Sequence, residues 1–175
     1  MPVCRIPNGH GLAALGGTPG TPRLGYPVRV TDPTIRPFDP ADEDATVELW
    51  RRCDLLRPWN DPRRDVARKL TVQRELFLLA VEGDAVLGSV MAGYDGHRGW
   101  VNYLAVDPDA RGRGIGRALM AQAERGLLEL GCPKVNLQVR ATNAAAIGFY
   151  RRLGYLDDDV VSLGKRLLRD ESEGA

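Results

Sequence analysis

Apolar and polar positions change their period along the chain, and each change marks an element. Residues 34–38 read as a short strand, which Asp39-Pro40 breaks. Asp42 stands where it can cap a following helix over 43–53, whose apolar side carries Val47, Leu49, Trp50 and Cys53. Two prolines make 54–62 a loop, and Pro62 suits the first turn of a second helix over 62–72. Residues 76–81 and 85–91 are apolar runs around Glu82-Gly83-Asp84, so they predict a hairpin. A third apolar strand covers 100–106. Ile115, Leu119, Ala123, Leu127 and Leu130 then recur every three or four residues, which predicts a long helix ended by Gly131. A strand over 135–139, a helix over 143–153, a closing segment from Tyr155 and a last strand over 160–163 complete the reading. The implied fold class is α/β, a mixed central sheet with helices on both faces.

Composition changes this picture only at the ends. Residues 1–33 are rich in proline and glycine and offer no periodic apolar face, so they are expected to form a disordered extension. The folded domain is expected over 34–168, followed by a frayed tail over 169–175. A formal net charge of +1 gives no field that calls for nucleic acid or an anionic membrane surface. No run approaches the ~18 apolar residues of a membrane span. The start does not read as a signal peptide, so a cytoplasmic location is expected. Cys4, Cys53 and Cys132 form neither a zinc signature nor a disulfide framework. Asp157-Asp158-Asp159 lies in one turn where three carboxylates rarely converge, so no metal is expected.

The candidate chemistry sits at Arg111-Gly112-Arg113-Gly114-Ile115-Gly116, where a strand feeds a glycine turn that opens into a helix. A helix start offers unpaired N–H groups and the positive end of a dipole, and Arg111, Arg113 and Arg117 add charge. These features suit a pyrophosphate; a plain glycine-rich helix start with solvated arginines is the alternative. Gly116-Arg117-Ala118 lacks the Lys-Ser/Thr of a P-loop, and the glycine spacing does not fit a dinucleotide fingerprint.

The run from Arg111 to Gly116 resembles the Gln/Arg-x-x-Gly-x-Gly/Ala signature of the GCN5-related N-acetyltransferases (GNAT). Residues 143–155, which include Asn143, Phe149, Tyr150, Gly154 and Tyr155, resemble the later motif of that family, in the expected order. Segments 54–62, 93–99 and 162–167 are similar to the small bacterial YpeA-like acetyltransferases.

The resemblance implies acetyl-CoA as acetyl donor. It implies that the backbone of Leu104, Ala105 and Val106 meets the pantetheine arm and acetyl carbonyl. The amides of 111–116 would hold the pyrophosphate, Asn143 the pantetheine or diphosphate side, and Tyr150 would sit near the thioester sulfur. The acceptor would be a small-molecule or peptide amine, attacking the thioester directly. Relatives often use a glutamate near the fourth strand as base, but 100–104 carries no carboxylate. Either a water takes the amine proton or another loop supplies the base, with His97 and Asp95 in the preceding loop as candidates. Arg57, Trp59 and Tyr94 are candidates for binding the acceptor, although Trp59 is also read as a plug at the sheet edge. A monomer or homodimer is expected. Another acyl-CoA donor and a non-catalytic CoA-binding module stay open as alternatives.

Deleting residues 1–30 is expected to leave melting temperature and CoA affinity unchanged, because that stretch presents no face to bury. Thermal unfolding and calorimetry of the truncated protein check this.

Overall fold

Alternate side chains of one strand feed two separate cores, and that alternation organises the domain. A computed structural model describes residues 32–168 and 170. Its strands are β1 (Thr34–Pro37), β2 (Phe77–Glu82), β3 (Ala85–Tyr94), β4 (Gly99–Val106) and β5 (Val135–Leu137). Its helices are α1 (Glu43–Arg52), α2 (Pro62–Leu70), α3 (Ile115–Glu129) and α4 (Ala144–Arg152). In β2, Leu78 and Ala80 face a core completed by Leu119, Ala123 and Leu127 of α3 and by Tyr150 of α4. Phe77 and Leu79 face the opposite core, with Leu49 and Trp50 of α1 and Val66 of α2. Helices therefore cover both faces, as the hydrophobic pattern predicts. The expected extension, up to residue 31, and most of the expected tail lie outside the described residues.

The sheet runs β1-β2-β3-β4-β5. Its first four strands pair antiparallel, and β5 joins β4 in parallel, so the sheet is mixed. The β4–β5 ladder is short: it pairs Gly99, Val101 and the residue between them with Val135–Leu137 and goes no further.

A bulge interrupts β4. Ser89 pairs with Ala105 and Met91 with Asn102, so two steps on β3 face three on β4. The extra residue is accommodated at Tyr103, which takes φ 51°, a left-handed backbone that a tyrosine adopts only when its surroundings hold it there. Here the Trp50 indole N–H donates to Ser89 Oγ at 2.8 Å, and the Ser89 hydroxyl donates to the Tyr103 carbonyl at 3.0 Å. Trp50 and Ser89 are fully buried, so each of these bonds satisfies a group that water cannot reach. The Tyr103 ring lies 4.2 Å from that of Trp50.

Two sequence expectations are corrected. Asp42 does not cap α1 with its side chain; Asp39 caps the short 3-10 turn Pro40–Asp42 in a capping box, and Asp42 completes the box by accepting from the Asp39 N–H. Arg36 holds Asp42 there at 2.7 Å, leaving the carboxylate below its usual range. The last strand over 160–163 does not form, and the described residues from Tyr155 onward make no ladder. Val160, Val161 and Leu163 are largely exposed, so their apolar signal comes without a face to bury. Side chains tether this segment instead: Asp158 to Lys134 and Ser162 to Gln138.

Ser89→Ala strips the Trp50 indole of its acceptor and the Tyr103 carbonyl of its donor. A buried polar group left unsatisfied costs about 1–3 kcal/mol. Denaturant unfolding is expected to show a loss of that size, larger than an ordinary Ser→Ala change at the surface.

Candidate active site

The turn after β4 is anchored from α1. Arg52 closes on both carboxylate oxygens of Asp107, at 2.9 Å from Oδ1, and reaches Asp109 at 2.8 Å. Asp107 is buried and also accepts from the Asp109 N–H at 2.9 Å, which shapes the turn itself. The neighbouring Cys53 thiol donates to the Val106 carbonyl at 3.3 Å. The end of one helix thus grips the strand end from which the glycine loop departs.

In that loop Gly112 and Gly114 take φ 80° and 79°, and a Cβ added at either would point into open space. Gly114 is the N-cap of α3, makes no side-chain cap, and the first turn carries no acidic residue. The start of a helix leaves its first N–H groups without intrahelical partners, a general feature that suits an anion. Ile115 is buried and fixes the helix on the core. Gly116 has a different role: a Cβ there would meet Phe149 at 3.3 Å and Val106 at 3.4 Å, so its small size lets α3 approach α4 and β4. The arginines divide too. Arg113 pairs with Glu82 at 3.0 Å, Arg111 is half-buried and Arg117 is exposed.

A cleft of about 340 Å³ opens where the β4–β5 ladder stops. Val101, Asn102 and Leu104 of β4 line it with Leu137, Met91 and Tyr150. Ala105 and Val106 do not line it; they pair with Ser89 and Gly88 of β3. Tyr150 is only 7% exposed, between the rings of Phe149 (5.2 Å) and Tyr155 (5.7 Å). The Tyr155 hydroxyl donates to Glu124 at 2.7 Å, and burial together with that carboxylate raises its pKa far above the phenol range. The Asn143 side chain accepts from the Ala146 N–H at 3.2 Å and so caps α4, which carries Tyr150.

On the acceptor side the placement differs from expectation. Trp59 lines the cleft at 49% exposure and does not plug the sheet edge. Arg57 turns back to the Leu56 carbonyl at 2.8 Å and to Asp54, away from the lining. The Tyr94 hydroxyl donates to the Gly96 carbonyl in the β3–β4 turn. His97 is exposed in the same turn, at the start of β4, whereas Leu104 lies near the end of that strand. Arg57, Tyr94 and His97 are therefore not brought into the cleft.

The carboxylate that does line it is Asp65 of α2, accompanied by Asn60, Tyr103 and Arg166. The periodicity of α2 marks Asp65 only as a polar helix position. Its one sequence-level signal is nearness to the 54–62 loop.

Residues 44–155 match the acetyltransferase (GNAT) family. An acetyltransferase of Yersinia enterocolitica is 52% identical over 137 residues, covering 78% of this chain and 97% of the relative. One of Pectobacterium atrosepticum is 53% identical over 136 residues, covering 78% and 96%. The ribosomal-protein-S18-alanine N-acetyltransferase of Escherichia coli superposes with a TM-score of 0.59 at 27% identity, over 70% of this chain and 76% of that one. The chain belongs to the GNAT acetyltransferase family, whose fold carries an acetyl-CoA-dependent acyltransferase site. Among the described residues no helix is long and apolar enough to cross a membrane.

Arg52→Ala releases the Asp107–Asp109 turn and should blur the loop that follows. CoA affinity is expected to fall about tenfold, near 1.4 kcal/mol. Isothermal titration of CoA into the variant measures it.

Proposed function

We propose that this protein moves the acetyl group of acetyl-CoA onto a primary amine, on a small molecule or on a protein N-terminus or lysine, by direct attack on the thioester. The supporting observation is the pairing of two features around β4: an uncapped glycine loop opening into α3 at its end, and a cleft reaching Leu104 and Tyr150 at its side. The loop fits a pyrophosphate because the space above Gly112 and Gly114 is open and the first turn of α3 carries no acidic residue. In this reading the amides of 112–116 and the Arg111 and Arg117 side chains hold the diphosphate, while Arg113 stays with Glu82. Leu104 orients the acyl group through its backbone, and Asn143 contributes by fixing the start of α4. Segments 54–62, 93–99 and 162–167 are the support for placing the protein with the small YpeA-like bacterial acetyltransferases.

The bound donor supplies an activated thioester; the chain supplies position and protons. Tyr150 is the proton donor in this scheme. A phenol titrates near pH ~10 and a thiol near ~8.5, so a neutral-pH tyrosine is protonated and can donate to a departing sulfur. Its two aromatic neighbours hold the ring in one place, which general acid catalysis requires.

Calorimetry with CoA, followed by thiol release from acetyl-CoA over a panel of amines, peptides and aminoglycosides, tests the proposal. Absence of CoA binding would overturn it. Tyr150→Phe keeps the ring and removes the hydroxyl. With an accepted amine, kcat is expected to fall about 10- to 1000-fold while the dissociation constant for acetyl-CoA stays near that of the wild type.

A further inference from the structure

Asp65 is the one carboxylate lining the cleft among the described residues, and its side chain is 19% exposed. The Tyr103 hydroxyl donates to its Oδ2 at 2.6 Å, and Arg68 reaches its Oδ1 at 3.0 Å. The Asn60 amide nitrogen lies 3.4 Å from Oδ2. Arg68 does not cancel the charge of Asp65 in full, because it also binds Asp170. The other charged residue of the lining, Arg166, is directed to the Trp59 carbonyl and to Asn60 Oδ1, each at 3.1 Å.

The Tyr103 phenol is kept neutral. Burial first, and the Asp65 carboxylate second, push its pKa well above the ordinary range. Its proton is committed to Asp65, so toward another group its oxygen acts as an acceptor. Asp65 and Tyr103 thus form an acceptor-rich corner in a cleft that also contains Leu104 and Tyr150. Much of the remaining lining is apolar or aromatic, from Met91, Val101, Leu137 and Trp59. An ammonium group is the chemical complement of such a corner: it carries positive charge and three donors and has no acceptor.

We infer that Asp65, with the Tyr103 hydroxyl it orients, is the site that first binds the acceptor as a protonated primary amine on an apolar stem; the amine then gives one proton to solvent, and the neutral nitrogen is what attacks the thioester. The inference rests on the N-acetyltransferase reading above and names its substrate class. Asp65 sets specificity by charge, and Tyr103 positions it. A neutral alcohol of the same shape loses the ionic contact, and a carboxylate is repelled.

The test is binding, measured without turnover. Phenethylamine and phenethyl alcohol are titrated into CoA-saturated protein and followed by NMR chemical shifts. The wild type is expected to prefer the amine about tenfold, in line with a hydrogen bond to a charged group. Asp65→Asn should erase the preference while leaving the alcohol and CoA affinities unchanged. Tyr103→Phe should reduce it in part. Equal affinity of the two probes for the wild type, no amine binding, or a preference that survives Asp65→Asn overturns the inference. The wild-type comparison decides even if a variant does not fold. CoA titration of the wild type reports separately on the acetyltransferase reading, so the two fail by different measurements.

Discussion

Everything at this site depends on a bent strand, and the bend is held by two hydrogen bonds in series. Trp50 donates to Ser89, and Ser89 donates to the Tyr103 carbonyl. A tyrosine at positive φ is strained, so the fold must hold it in place from outside the strand. It does so with a fully buried indole whose alternative is an unsatisfied N–H. The tilted contact of the Tyr103 ring with Trp50 adds to the same clamp. The cleft follows from this arrangement: β4 twists at the bulge, β5 pairs with it only ahead of the bulge, and Leu104 and Tyr150 both line the gap that results.

The same helix serves the other end of the site. Trp50 supports the bulge, and two residues on, Arg52 grips the turn that launches the glycine loop. Cys53 adds a contact to the last residue of β4. One rigid element therefore sets the spacing between the cleft and the proposed diphosphate region. Catalytic geometry tolerates little looseness, so a shared support is worth more than two independent ones. Asp65 on α2 is tied into this frame as well, through the Tyr103 hydroxyl.

Much of the architecture was legible from hydrophobic spacing. Nine elements fall near their predicted positions, because each buries a face whose period shows in the sequence. The glycine loop was legible as well, since few other arrangements need glycines at that spacing between a strand and a helix. Three things were not. The bulge is silent, because 102–106 is as strand-like with an extra residue as without it. The predicted strand over 160–163 was a false signal: valine and leucine there have the composition of a strand, but the chain offers them no face. Part of the cleft lining was not legible for a third reason. Arg57, Tyr94 and His97 sit in polar loops and looked exposed and functional. Asp65 sits in a helix of charged residues such as Arg63, which forms surface ion pairs with Glu43 and Asp44. Only the three-dimensional path of α2 singles Asp65 out from those neighbours.

The bulge also divides β4 into two reading frames. In an unbroken strand, residues an even number apart share a face. Val101 and Ala105 are four apart, yet Val101 belongs to the core under α3 and Ala105 to the core under α1. The inserted step reverses parity, so polar and apolar positions after Tyr103 follow the opposite rule from those before it. Four successive residues, Val101, Asn102, Tyr103 and Leu104, line the cleft as a result. A strand can then obey the packing demands of both cores and still present consecutive side chains to a ligand, which strict alternation forbids. One residue of excess length is thus what separates a sheet that only folds from a sheet with a place to work.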